Sequence, residues 1–147
     1  MKNMKKFAPL LFVFIFTIGF SEATKAQSCS IILCKEVTEG SDGNDNILSV
    51  FTGFNSSAVG KDNVFTVYTR FQDFGVNVAH TYDIRMKNVQ GEIIINSEDA
   101  FMNRSLTHTH VAESRWTVNF PDVGIYTIEV WVDEKMVEYL NVRVGDL

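Results

Sequence analysis

The sequence predicts an all-β domain, a two-sheet sandwich of seven to eight strands, behind an N-terminal targeting segment. Three observations carry that expectation. Apolar and polar residues alternate with period two through most of the chain after about residue 30, which sends successive side chains to opposite faces of a strand. Turn-forming clusters recur at intervals of about ten residues, the spacing of short strands in a sandwich. No stretch sustains the three-and-four apolar spacing of an amphipathic helix over three turns.

The chain has 147 residues, room for one domain. It opens on a positive stretch, Lys2, Lys5 and Lys6. Phe7 to Phe20 is then a 14-residue apolar run broken only by Pro9, Thr17 and Gly19. A spanning helix needs about 20 apolar residues, whereas the hydrophobic part of a secretory signal needs only about 7–15. Residues 1–26 are therefore expected to be a signal peptide, with an N-terminal membrane anchor as the alternative, and residues 27–147 the folded domain. Small residues allow cleavage after Ala23 or Ala26. Ala26-Gln27-Ser28-Cys29 also permits a lipoprotein reading with Cys29 acylated, although no Leu stands three positions before the cysteine. The expected location is secreted, periplasmic or cell-surface.

Charge narrows the partners. Residues 1–26 contain four of the 13 Lys plus Arg and one of the 18 Asp plus Glu. The remaining nine basic and seventeen acidic side chains give the domain a net charge of −8. Such a surface repels phosphate backbones and anionic lipid. Nucleic acid is not an expected partner, and membrane contact is expected only through the N-terminal segment if it is uncleaved or lipidated. Export suggests an oxidising compartment, yet there are only two cysteines, Cys29 and Cys34. In one extended strand their Cα atoms would lie about 16 Å apart at ~3.3 Å per residue, too far for a disulfide. Their spacing matches no zinc pattern, and Cys34 reads as a small buried apolar residue.

The expected strands are Ser30–Val37, Ile47–Phe54, Val64–Gln72, His80–Val89, Glu92–Asn96, Thr107–Phe120, Ile125–Val132 and Met136–Val144. Between them lie Glu39 to Asp45, Gly60-Lys61-Asp62-Asn63 and Gln90-Gly91, all rich in turn formers. Alternation nominates a core of Phe65, Val67 and Phe71; Tyr82, Ile84 and Met86; Trp116, Val118 and Phe120; and Ile128, Val130 and Val132. Asp83, Arg85 and Lys87 fall on the opposite, solvated face, as does Tyr68 of the third strand. A closed barrel is the competing all-β arrangement.

Phe120 to Lys135 is the most informative stretch. Pro121-Asp122 and Gly124 make a sharp turn, and Tyr126 opens the alternating strand that follows. A tyrosine two residues after a turn glycine, at the start of a late strand, reads as a tyrosine corner, a device of Greek-key sandwiches. Its hydroxyl is expected to bond backbone among Phe120 to Val123. The expected fold is thus an immunoglobulin-like Greek-key β-sandwich.

The domain resembles an uncharacterised bacterial family of immunoglobulin-like sandwich proteins, a domain of unknown function. The resemblance covers most of residues 30–144. It is carried by Ile31-Ile32-Leu33-Cys34, by Asn46 to Gly53, by the middle strands Phe65 to Phe71 and Tyr82 to Val89 with Gly91, and by the Phe-Pro-x-x-Gly-x-Tyr stretch at 120–126. These motifs are structural, so the resemblance implies a fold and no activity. Two departures stand out: Glu134 replaces the usual hairpin glycine, which predicts a longer or differently wound last turn, and the family does not typically carry an export segment.

Candidate chemistry is sparse. His108 and His110 would project from one face of a strand and are the best metal candidates, but an ion needs a third or fourth ligand; the plain reading is two ordinary histidines near a sheet edge. They share parity with Trp116, which predicts a bulge between them or a wet strand end. Ser41 to Asn46 resembles a calcium loop at a glance, but counting from Asp42 the sixth and twelfth positions hold Ile47 and Gly53, so it reads as a hairpin connection. No serine sits in a Gly-x-Ser-x-Gly elbow, and no carboxylate pair stands out for glycoside hydrolysis. Asn55-Ser56-Ser57 and Asn103-Arg104-Ser105 are formal glycosylation sequons. Trp131 alternates out of phase with the core of its strand, and with Tyr139 it is a candidate binding residue; a one-residue slip in the last hairpin would turn Tyr139 to the other face.

The expected function is a non-catalytic exported interaction module, not an enzyme, that binds protein or carbohydrate; no cofactor is implied. The alternatives are a metal-binding protein or metal-dependent enzyme built on His108 and His110, and a structural subunit of a surface assembly that pairs through sheet edges.

Overall fold

A computed structural model describes residues 27–105 and 107–146; the expected targeting segment, residues 1–26, lies outside them. The described chain is all-β. It runs β1 (Ser28–Cys34), β2 (Glu36–Glu39), β3 (Asp45–Leu48), β4 (Gly53–Phe54), a short 3-10 turn (Ser56–Ala58), β5 (Asp62–Gln72), β6 (Ala79–Lys87), β7 (Ile93–Met102), β8 (His110–Asn119), β9 (Gly124–Val132) and β10 (Lys135–Val144). A three-stranded sheet has the order β1-β5-β8. A five-stranded sheet has the order β4-β10-β9-β6-β7, and β2-β3 form a separate hairpin. All pairings between named strands are antiparallel except β4 with β10. The ladders among the described residues stay separate, one sheet curling as a half-barrel, so packed sheets replace the closed-barrel alternative.

The core lies between the two larger sheets. Leu33, Phe65, Val67, Phe71, Trp116 and Val118 come from one, and Ile84, Met86, Ile128, Val130, Val132, Val142 and Val144 from the other. Every core residue nominated by alternation is buried except Tyr82, which is only partly so. Burial of such side chains stabilises by roughly 1.5–3 kcal/mol each. Aromatic rings close both ends of this core: Phe51, Phe54, Phe65 and Phe120 at one, Phe71, Phe74, His80, Phe101 and His110 at the other.

Tyr126 is fully buried, and its hydroxyl donates to the Asp122 carbonyl at 2.9 Å while accepting the Asp122 N–H at 3.4 Å. The corner therefore satisfies a connection that has no ladder of its own. Gly124 takes φ +151°, which L side chains rarely adopt.

Several expectations need correction. The expected first strand breaks at Lys35, and the expected second strand ends at Leu48, because Ser49 turns with φ +55°. The edge strand β4 then joins β10 so closely that a Cβ on Gly53 would lie 2.5 Å from the Arg143 carbonyl oxygen. β7 continues to Met102, well past Asn96. The last turn is neither longer nor differently wound. Asp133 and Glu134, at φ +48° and +64°, make a two-residue hairpin connection with Lys135 opposite Val132. Both positive φ values match the twist such a turn requires, and Glu134 bears the strain that glycine would avoid. Tyr68 is not solvated: it is 4% exposed, because the β2-β3 hairpin covers the outer face of β5, and its hydroxyl donates to Asp45 Oδ2 at 2.7 Å. Burial, then the Asp45 carboxylate, push its phenol up to about 12.

Candidate functional site

The outer face of the five-stranded sheet is where the exposed aromatic and charged groups meet. Alternation on β6, β9 and β10 sends Ile84, Ile128 and Val142 inward, so Arg85, Glu129 and Tyr139 point out. Pairing aligns them in rows across the strands. One row is Tyr139, Glu129, Arg85, Asn96; the next is Met136, Trp131, Asp83, Glu98. The register of the last hairpin thus places Tyr139 and Trp131 on one face, with Tyr139 55% exposed and Trp131 half-buried.

The polar groups are organised around the Trp131 ring. The Arg85 guanidinium lies 4.6 Å from the ring centroid, a cation–π contact, and its Nη2 is 2.6 Å from Asp83 Oδ2. The indole N–H donates to Glu129 Oε2 at 2.8 Å, and Lys87 Nζ donates to Glu129 Oε1 at 2.8 Å. Burial pushes the Glu129 carboxyl up, but the hydrogen bonds from Lys87 and Trp131 and the nearby cations outweigh it, and the net shift is downward. Asn96 bridges to Glu98 at 2.8 Å. The side chains are thus held in place before any partner arrives, which lowers the ordering cost of binding.

The Asp133 turn frames one end of this face. Asp133 Oδ2 lies 2.6 Å from His80 Nδ1, Oδ1 accepts the Thr81 N–H at 3.0 Å, and the Asp133 N–H donates to the Thr81 carbonyl. The hydrogen bond from His80, then that from the Thr81 amide, hold the Asp133 carboxyl below its usual range. A cavity of about 610 Å³ opens here between Trp131, Arg85 and the turn. His80 and Asp133 were not legible as partners, since 53 residues separate them.

The two candidate metal ligands are pulled apart in role. His110 pairs with Phe71 in a continuous register, without a bulge, and stacks on Phe101 at 4.8 Å with the rings 9° apart. Burial, then the neighbouring His108, push its imidazole down. His108 is exposed and precedes the strand. Among the described residues no group of three or more His, Cys, Asp or Glu side chains is placed to hold an ion. The Ser41–Asn46 segment lies in a hairpin: its first part, through Asn44, connects β2 to β3 and is closed by Gly40 N–H to the Asn44 carbonyl, and Asp45 and Asn46 already pair with Glu39 and Thr38 in the ladder.

Cys29 and Cys34 are free thiols of one strand facing opposite sides. Cys34 is fully buried under the β2-β3 hairpin. Burial, then Glu138, push the Cys29 thiol up to about 12, so it is protonated and poorly nucleophilic at neutral pH. Of the sequons, Asn55 is exposed, whereas Asn103 is buried and its amide donates to the Phe74 carbonyl at 3.0 Å.

None of the curated proteins compared with the chain matches it. A family model does match over residues 29–145, most of the chain and nearly all of the described domain, and on that match the chain belongs to a family of unknown function, DUF6941.

Proposed function

We propose that this protein is an exported, non-catalytic interaction module with an immunoglobulin-like Greek-key fold. In this reading it binds a protein or carbohydrate through the outer face of its five-stranded sheet. The carrying observation is the row Tyr139, Glu129, Arg85, Asn96 beside Trp131, where an exposed tyrosine and an arginine-backed tryptophan share one pre-ordered sheet face. Tyr, Trp and Arg are the residue types that most often dominate binding energy. The Greek-key assignment is supported by the way the chain passes between sheets, with β5 and β8 in one and β6-β7 and β9-β10 in the other, and by the Tyr126 corner. Export rests on the character of residues 1–26.

The test is a glycan array and capture of cell-surface proteins from the producing organism, run with wild type and a Trp131→Ala/Tyr139→Ala double variant. Saturable capture that the double variant loses, at an unchanged melting temperature, is the expected result. Capture that the double variant retains would move the site elsewhere.

One observation favours a second reading, a subunit that assembles through sheet edges. β7 is an edge strand ten residues long, with Ile93, Ile94 and Met102 exposed along it, and such an edge is a template for strand addition. Light scattering across a concentration series separates the two: a stable oligomer supports assembly, a monomer supports the binding module.

A further inference from the structure

We infer that the cavity beside β4 is a second binding site, independent of the sheet face, for a small amphipathic anion: an apolar body bearing a carboxylate. The cavity is about 630 Å³ and is bounded by the segments 49–55 and 57–64 together with Lys35. That volume falls in the range of small-molecule sites.

Its floor is aromatic. Phe51 and Phe54 meet edge to face at 5.0 Å and continue into the core through Phe65 and Phe120. Val50 and Val64 add exposed apolar surface at 60% and 49%. Water on such a surface is released when an apolar body covers it. The rim is cationic. Lys35 and Lys61 both line the cavity, and among the described residues neither ammonium is held by a carboxylate. One acid, Asp62, also lines the rim and accepts the Asn119 amide at 3.3 Å, so the lining of Lys35, Lys61 and Asp62 keeps a net positive charge.

This local sign runs against the rest of the domain. Nine basic and seventeen acidic side chains give it a net charge of −8, so an anion is repelled over most of the surface and attracted here. Two unpaired ammonium groups over an aromatic floor match an apolar carboxylate in both halves. The wall is also rigid. Asn63 Nδ2 donates to the carbonyls of Ala58, Lys61 and Val118 at 2.9, 2.8 and 3.3 Å, and Ser56 is tied to Asp146 through two hydrogen bonds. The site therefore needs little ordering when it fills.

The experiment uses the full chain, ¹⁵N-labelled, titrated with 2-naphthoate and, separately, with the uncharged 2-naphthalenemethanol. Amide shifts report where each probe sits, so contact of either probe with residues 1–26 is read separately. Naphthoate should shift amides within residues 49–64 saturably, and the alcohol should bind there about tenfold more weakly or worse. A Lys35→Glu/Lys61→Glu double variant should lose naphthoate binding by at least about tenfold, while Lys135→Glu should keep it. If the double variant does not fold, salt decides on wild type: raising ionic strength from about 0.05 to 0.5 M should weaken naphthoate and leave the alcohol unchanged. No localised shifts, equal binding of acid and alcohol, or salt-independent naphthoate binding would each overturn the inference.

Discussion

The two sheets alternate in the same way along their strands, yet their outer faces have opposite fates. On the three-stranded sheet, the outward positions Cys34, Thr66 and Tyr68 are buried beneath the β2-β3 hairpin. On the five-stranded sheet, no strand of the described residues folds over the outward positions: Tyr139 is exposed, and Arg85 and Glu129 are half-buried only by their neighbours on the same face. Polar groups on the covered side must find partners inside the protein, as Tyr68 does in Asp45. On the open side the same kinds of group pair with each other and leave aromatic surface free. An outward position is therefore solvated only if nothing distant in sequence folds over it, and the uncovered face is the one through which we propose that a partner binds.

The largest effect that sharpens this contrast is Tyr68→Ala. It empties a buried site and should cost about 3–5 kcal/mol in urea unfolding, whereas Tyr139→Ala should stay within about 0.5 kcal/mol of wild type. Equal costs would erase the distinction between the faces. Tyr126→Phe comes next, at about 1–3 kcal/mol, because it leaves the Asp122 carbonyl in the corner without its donor. Tyr68→Phe should cost less, about 1 kcal/mol, since the exposed Asp45 can turn to water.

The pH dependence should carry opposite signs on the two faces. Tyr68 has a folded pKa of about 12, above the roughly 10 of an unfolded tyrosine. Its contribution is fully present below pH of about 10 and is lost as pH rises towards about 12. Glu129 is shifted downward on balance, so its contribution is present above the ordinary carboxylate pKa and is lost as pH falls through the lower folded value. Melting temperatures across pH for wild type, Tyr68→Phe and Glu129→Gln check this. Tyr68→Phe should flatten the alkaline limb alone, and Glu129→Gln should flatten the acid limb by a smaller amount.

The inner faces were legible because burial between sheets obeys a strict period of two. Phe65, Val67 and Phe71, and Ile128, Val130 and Val132, are buried as their alternation requires. Trp131, out of phase with its neighbours, reads outward for the same reason. Tyr126 was legible down to its hydrogen bond, since the turn that creates the corner lies four residues away. What escaped depends on distant contacts. The cover over Tyr68 comes from Asp45, 23 residues earlier. Ser30 to Val37 reads as one strand because nothing in its composition marks the break at Lys35. Ser97-Glu98-Asp99 falls past the expected strand end at Asn96 because the residue on its inner face is polar: Ser97 is half-buried and accepts the Trp116 indole N–H at 2.8 Å, a partner distant in sequence. The Asp133-Glu134 turn stays tight without glycine because Asp133 is also bonded to His80 and Thr81 on β6.

The most direct test of the covered and open faces compares two residues of the same chemistry. Hydroxyl-radical footprinting of the native protein, read by mass spectrometry, reports the side-chain exposure of Tyr68 and Tyr139 together. With exposures of 4% and 55%, Tyr139 should be oxidised readily and Tyr68 protected until the protein unfolds. Oxidation of Tyr68 at the rate of Tyr139 in the folded protein would mean that the hairpin does not cover the three-stranded sheet, and the five-stranded face would lose its claim to be the one left open.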